Sequence, residues 1–407
     1  MGTQQNASRG RPDFLLLILT LLLVGFGLVM VFSASSSIAL VTSKFNYDAL
    51  YFTRKQLIWA GIGILCMLFV MNIPYKVFKK GFIFLFIPVL IMLLIVPFSE
   101  AVNGASSWLA VGSQSLQPTE FAKLALILYL GSLIAKKDEK FRDFKKGLLP
   151  VIIIVGIVCG LIMMQPDLGS CMILAMCATI MVVAGGANLK QVFMTGIVLG
   201  LVLAVAVSIS MAMDPDAWQY RVDRFTAFQD PLADAQNSGL QLVSSLQALG
   251  HGGLTGAGFG QSVQKLHYLP YPYNDFIFSI IAEEFGFIGA ALFILTYLLF
   301  LWRGLIVALR CPDQYGTIVG VGIIAIFGLQ AFINIGGVTG TIPMTGVTLP
   351  LISAGGSSLL VCLVSIGILL SISRESNKEK PAVERKRTTT TTTTSTTLKS
   401  VSTLRQS

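Results

Sequence analysis

Long apolar runs separated by short polar punctuation set the pattern of this chain. The first, FLLLILTLLLVGFGLVMVF (14–32), carries no charge from end to end. Runs of about 18 or more apolar residues predict membrane-spanning helices. Ten spans are expected, at roughly 14–36, 56–73, 81–98, 117–135, 148–165, 168–186, 191–212, 276–301, 315–336 and 348–372. Backbone polar groups must find partners inside the segment when lipid surrounds it, so each span is read as a helix. No ten-residue alternation of the kind a barrel strand needs is visible. The first run is longer than a signal-peptide core and many like it follow, so it reads as a retained span.

The expected fold is therefore all-α, a polytopic membrane protein with about ten transmembrane helices. Three regions are expected: a cytoplasmic N-terminal segment (1–13), a ten-helix membrane domain (14–372), and a disordered cytoplasmic tail (373–407). The tail ends in polar sequence that includes TTTTTTTSTT, with no apolar face to bury. One long extramembrane piece, the external loop 213–275, precedes span eight. A loop of that length in a compact protein predicts short helices packed across the bundle mouth.

Composition agrees with this pattern. Of 407 residues, 54% are apolar and 12% charged, against about 25% charged in a soluble domain. Twenty-two of the 29 lysines and arginines fall on one side of the expected membrane and six on the other, with Lys123 inside a span. That asymmetry places both termini in the cytoplasm. It also accounts for the net charge of +9 as a topology signal, so no nucleic-acid partner is expected. The six cysteines show no metal-ligand spacing and no disulfide framework, and two histidines are too few for a histidine metal site.

Candidate chemistry gathers on the external side. In HYLPYPYNDFIFSIIAEEFGF (267–287), Asp275 stands between an aromatic loop and span eight. It reads either as a cap of the next helix or as a general base at the membrane boundary, where the surrounding tyrosines and phenylalanines lower local polarity. Carboxylates within a span are costly and mark a site, a pathway or an ion pair. At about 100° per residue, Glu283 lies about 80° from Asp275 while Glu284 lies nearly opposite. Glu283 is thus the better candidate for Asp275's cavity, and Glu284 for pairing with another helix. In QPTEFAK (117–123), Glu120 and Lys123 share a face; they neutralise each other, meet Glu283 or Glu284, or offer Lys123 to a phosphate. Asp167 in QPDLG is a cap or a site residue. Arg221 and Arg224 in YRVDRF are either solvated surface charges or, on one helical face, a pair that suits a pyrophosphate. HGGLTGAGFGQS (251–262) reads as a tight loop with close backbone approach rather than a nucleotide loop. Pro350 and the pair Gly355–Gly356 are expected to break span ten beside a cavity. Residues alone leave an enzyme, a transporter and a non-catalytic scaffold open.

Six blocks in order, NGASSWLAVGSQSLQPTEFAK, QPDLG, YRVDRFTAFQDP, GGLTGAGFGQSVQKLHYLP, NDFIFSIIAEEFGFIG and TGVTLPLISAGGSS, resemble the bacterial SEDS family (shape, elongation, division and sporulation) across nearly the whole membrane region. The QSVQKLHYLP and TGVTLPLISAGGSS blocks are most similar to its division branch. The resemblance implies a peptidoglycan glycosyltransferase of the cell membrane that polymerises lipid II during cell division. Its implied partners are lipid II, a glycan linked to undecaprenyl pyrophosphate, a class B penicillin-binding protein and other divisome membrane proteins. It implies Asp275 as the catalytic carboxylate, with Trp108, Lys123, Arg221, Arg224 and Glu283 toward substrate and Glu284 nearby. No cofactor is certain; a divalent cation, magnesium or manganese, is compatible, but no ligand set for a metal is visible. The chain departs from the family pattern at Ser107 and Ser115, where arginines are usual, and at Tyr271, Tyr273 and Ala354. A lipid II flippase and a division scaffold are the competing expectations.

Overall fold

The computed structural model describes residues 10–99, 107–111, 114–165, 167–213, 226, 228–233 and 239–377. Within them the helices are α1 (Phe14–Val41), α2 (Tyr51–Asn72), α3 (Tyr75–Ile95), α4 (Pro118–Lys137), α5 (Leu149–Met163), α6 (Leu168–Ala184), α7 (Leu189–Met213), α8 (Leu240–Gly252), α9 (Ile277–Leu309), α10 (Gln314–Val338) and α11 (Gly356–Ser376). Nine are long and apolar enough to cross a membrane, and α6 is a shorter apolar helix. Each expected span has its helix, and α8 is a short helix within the external loop. A small hairpin, β1 (Leu109–Val111) with β2 (Gln114–Leu116), joins α3 to α4. The chain is thus a multi-pass membrane protein.

The bundle is built around α4, α10 and α11, whose apolar windows are 72%, 72% and 78% buried, whereas no residue of the α7 window is buried. Packing is pairwise: α2 lies on α11, α3 on α4, α9 on α10, and α1 against both α2 and α9. Small residues allow the closest of these approaches. A Cβ at Gly367 of α11 would lie 2.8 Å from the backbone oxygen of Met67 in α2.

The first and last described segments, residues 10–13 and 373–374, meet at one end of the bundle. Asp13 caps α1 through the amide of Leu16 at 3.0 Å and receives Arg303 of α9 at 2.7 and 3.0 Å. Its own amide donates to Ser373 of α11 at 3.0 Å, and Arg374 donates to the carbonyl of Gly10 at 3.0 Å. Residues 10–13 thus dock on the bundle, and α11 runs on to Ser376, with Arg374 held by Gly10. The rest of both terminal segments, 1–9 and 378–407, lies outside the described residues.

Span ten also starts later than its hydropathy suggests. TLPLISA is apolar enough to read as helix, yet the chain stays non-helical until Gly356. This irregular stretch is buried in protein, with its groups hydrogen-bonded to neighbouring elements, which is the condition for non-helical backbone at membrane depth.

Candidate active site

Asp275 sits one residue before Phe276, the N-cap of α9, and the side chain of Phe276 makes no capping bond. The segment around Asp275 is held by the irregular stretch before α11. Ser353 Oγ donates to the carbonyl of Asn274 at 2.7 Å and accepts from the amide of Leu349 at 2.8 Å. The amide of Ala354 donates to the carbonyl of Tyr273 at 2.9 Å. From α2, Gln56 donates to the carbonyl of Ser353 at 3.2 Å and accepts from the amide of Gly355 at 3.1 Å. Asn334 of α10 donates to the carbonyls of Asp275 and Val347 at 2.6 and 2.7 Å. Two helices, through Gln56 and Asn334, and the irregular stretch, through Ser353, thus each contribute an uncharged polar residue to one seam.

Two cavities meet at this seam. The larger, about 860 Å³, is lined by Lys55, Trp59, Trp108, Tyr273, Asp275 and Gly356 among others. The smaller, about 230 Å³, is lined by Gln241, Asn334, Met344, Thr345 and Val347 together with Asp275. Asp275 and Tyr271 border both. Gly346 keeps space beside the carboxylate: a Cβ there would stand 3.6 Å from Asp275 Oδ2. His267, Tyr271 and Leu351 hold positive φ angles of 73°, 51° and 69°, conformations that cost free energy in non-glycine residues and persist where surroundings impose them. Burial, with Tyr271 and Tyr51 close by, pushes the Tyr273 hydroxyl up to about 12. Of the positions that depart from the family pattern, Ser115, Tyr271, Tyr273 and Ala354 all line the larger cavity.

The structure brings some of the expected residues together and separates others. Trp108, Asp275, Gly355 and Gly356 share the larger cavity. Pro350 is buried in the irregular stretch. Asp167 caps α6 by accepting from the amide of Ser170 at 2.9 Å. Glu120 and Lys123 form a buried ion pair at 2.7 Å, with Ser358 donating to Glu120 at 3.2 Å; neither lines either cavity that Asp275 borders. Arg221 and Arg224 lie outside the described residues.

Glu283 requires a correction. It was expected in Asp275's cavity, but its fully buried carboxylate instead accepts from Ser262 Oγ and from the amides of Val263 at 2.9 Å and Gln264 at 3.4 Å. It also contacts His251 Nδ1 at 2.9 Å. Glu284 pairs with Lys265 at 2.8 Å and accepts from Ser33 at 2.6 Å. The reason lies in a break of α9 at Gly286, whose φ is 67°. There the glycine loop packs backbone against backbone: Ala257 and Gly258 donate to the carbonyls of Glu283 and Glu284 at 2.9 and 3.0 Å, while Phe287 donates to Gly253 at 2.9 Å. The two carboxylates fasten loop 251–265 to the helix, and the amides of Ala257 and Gly258 are spent on it.

Sequence reasoning missed Lys55, which it counted only as an external charge. Among the described residues lining the larger cavity, Lys55 is the one lysine or arginine. Its ammonium donates to Tyr51 Oη at 2.8 Å and lies 4.5 Å from the centre of that ring. Gln56, Gln241 and Asn334 were missed as well, being neutral residues within or beside apolar runs.

Residues 13–378 match the model of the FtsW/RodA/SpoVE family, described as cell cycle protein. The chain is 42% identical over 373 residues to the stage V sporulation protein E of Bacillus subtilis strain 168, covering 90% of this chain and 98% of that protein. It is 38% identical over 378 residues to a probable peptidoglycan glycosyltransferase FtsW of the same strain, covering 90% and 93%. Among solved structures, a chain from a peptidoglycan synthase complex that coordinates polymerization and crosslinking superposes with a TM-score of 0.72 at 25% identity, covering 90% of this chain and 99% of that one. The rod shape determining protein RodA of Thermus thermophilus shares the fold, with a TM-score of 0.65 at 24% identity over 90% of this chain and 98% of that one. A match spanning nearly the whole membrane bundle makes this chain a member of the FtsW/RodA/SpoVE family of cell cycle proteins.

Proposed function

We propose that this chain is a peptidoglycan glycosyltransferase that polymerises lipid II into β1-4 glycan strands during cell division. Family membership and relatives named as probable peptidoglycan glycosyltransferases support the reading. The observation that carries it is the position of Asp275 on the border of two cavities, one of which also holds Lys55, Trp59 and Trp108.

Asp275 acts as general base. It takes the proton from the 4-hydroxyl of the acceptor, lipid II, as that oxygen attacks the anomeric carbon of the donor glycan. The bond from that carbon to undecaprenyl pyrophosphate breaks, and the anomeric centre inverts from α to β. Pyrophosphate is a good leaving group, so one carboxylate suffices where glycoside hydrolysis uses two. Lys55 supplies positive charge in the same cavity as the bond-breaking step. Arg221 and Arg224 remain candidates for the same anion. Lys123 contributes through its pair with Glu120, away from that cavity.

Among the described residues no group of three or more histidine, cysteine, aspartate or glutamate side chains is placed to hold a metal ion. Asp275 is the one carboxylate among the described residues lining the two cavities, and a single carboxylate would give a magnesium or manganese ion too few protein ligands. The residues fit no dedicated metal centre, and the steps above rely on none.

Asp275, on the border of both cavities, and Arg303, clasped by Asp13, stand toward opposite ends of one helix, which suits an outward-facing site with cytoplasmic termini at the division septum. The related complex that coordinates polymerization and crosslinking supports a class B penicillin-binding protein as partner. Other divisome membrane proteins complete the assembly. The test is the purified chain, alone and with its transpeptidase, given labelled lipid II. Glycan ladders that vanish in Asp275→Asn with the fold intact support the proposal. Lipid II crossing a liposome wall without polymer would instead establish a flippase.

A further inference from the structure

The six cysteines are free, and the fold treats two of them differently from the others. Cys177, Cys311 and Cys362 are buried. Cys177 donates to the carbonyl of Gly322 at 3.4 Å and Cys311 to the hydroxyl of Tyr75 at 3.6 Å. Cys159 of α5 and Cys171 of α6 are half-buried, and their thiols hydrogen-bond to one another. Cys159 Sγ also lies 3.8 Å from the carbonyl oxygen of Cys171, and Cys171 Sγ lies 3.3 Å from that of Cys159. Each side chain thus reaches across to the other's main chain. A disulfide needs side chains that converge in this way, whereas a pair pointing apart cannot be bridged unless the backbone moves.

Position gives the pair both access and a consequence. Cys159 stands one turn before the end of α5 at Met163, and Cys171 one turn after the start of α6 at Leu168. At about 1.5 Å of rise per residue, both lie roughly 5–6 Å inside the tip of the α5–α6 hairpin, within reach of a small oxidant. The two sides of that tip hold different parts of the bundle. On the α5 side, Gln165 accepts from Thr119 of α4 and donates to the carbonyl of Leu93 of α3, at 3.4 and 3.5 Å. On the α6 side, a Cβ at Gly169 would stand 3.1 Å from the carbonyl oxygen of Thr345, a residue that lines the smaller cavity with Asp275. A covalent bond between Cys159 and Cys171 would couple these two anchorages.

We propose that Cys159 and Cys171 are a reversible disulfide site that locks α5 to α6. The oxidant is a low-molecular-weight disulfide, of which oxidised glutathione is the example. One cysteine loses its proton, and its thiolate attacks a glutathione sulfur. A mixed disulfide forms and the first glutathione leaves as thiolate, which takes up a proton. The second cysteine, also deprotonated, attacks the protein sulfur of that mixed disulfide. The Cys159–Cys171 bond forms and the second glutathione leaves. Two protein thiols are oxidised in all, and one glutathione disulfide is reduced to two thiols. Spacing along the chain does not announce this pair, because its convergence comes from the antiparallel packing of two apolar helices. The inference goes beyond the glycosyltransferase reading and does not depend on it.

The test uses the purified full chain in detergent, equilibrated with mixtures of reduced and oxidised glutathione. Acid quenching, denaturation, alkylation and mass spectrometry then count the thiols. As the oxidised share rises, alkylatable thiols are expected to fall from six to four, and dithiothreitol to restore all six. Digestion should yield one cross-linked pair of peptides, joining residue 159 to residue 171. Thermal unfolding of the oxidised chain should shift upward, because a bond between aligned side chains restrains the unfolded state without displacing the native one. Cys159→Ser and Cys171→Ser should each lose both the bond and the shift, whereas Cys66→Ser should keep them. Six thiols at every mixture, glutathione adducts that never close, a bond between other cysteines, or a downward thermal shift overturns the site. The count on the unsubstituted chain decides the matter even where a variant fails to fold.

Discussion

Asn334 donates to the backbone carbonyl of Asp275 at 2.6 Å, so Asp275 is positioned through its main chain by a neighbouring helix. Asp275 lines the two cavities that Tyr271 also borders. Holding a residue through its main chain fixes its place relative to those cavities.

Asp275→Asn should lower polymerisation by about 10²–10⁴-fold, the usual contribution of a positioned general base. Glycan length on gels measures it, and an unchanged elution profile and melting temperature show that the bundle is intact.

Lys55→Met is expected to reduce kcat/KM about tenfold to a hundredfold, with kcat carrying most of the loss, because charge on the leaving group develops in the transition state. Lys55→Arg should recover most of it. Equal activity of the methionine variant and the native chain would assign the cavity's positive charge elsewhere, with Arg221 and Arg224 next in line.

Glu283→Ala should unfold the loop attachment rather than abolish the chemistry directly. Ser262 and the amides of Val263 and Gln264 lose their acceptor at a fully buried site. The cost is about 3 kcal/mol or more, from several buried donors left unmet. Thermal unfolding in detergent checks this, and Asp275→Asn should show no comparable loss.

Tyr273 carries an alkaline signature. Its folded hydroxyl is pushed up to about 12 by burial, above the ordinary tyrosine value of 10. Between those values the folded state keeps a proton that the unfolded state releases, so stability falls as pH rises from about 10 to about 12. The loss amounts to about 2–3 kcal/mol at the upper end. Tyr273→Phe should flatten that limb of a stability-against-pH curve, and no tyrosinate should appear in the activity profile below pH 10.

The spans, and the rim on which Asp275 stands, were legible because membrane burial imposes simple demands. An apolar run must be helical, and a proline- and tyrosine-rich loop beside it must sit at a boundary. Glu283 was misplaced for a specific reason. Angular spacing along a helix says which way a side chain points, but not that HGGLTGAGFG returns to cover that side at a helix break. Lys55 was hidden because a charge next to a span serves topology and chemistry equally well in a composition count. Asn334 and Gln241 leave almost no mark on hydropathy; Asn334 meets carbonyls far away in the chain, and Gln241 meets Asp275 only across a shared cavity. The start of α11 was blurred because buried irregular backbone and buried helix are equally apolar.

Arg303 and Asp275 stand toward opposite ends of α9, one clasped by Asp13 and the other at the cavities. At about 1.5 Å of rise per residue that is roughly 40 Å of helix, with a single joint at Gly286. Any factor that grips the first or last described residues of the bundle therefore has its hand on the same shaft at whose other end Asp275 stands. A pull on Asp13 or Arg303 would reach the cavities by mechanics, without contact at the cavities themselves.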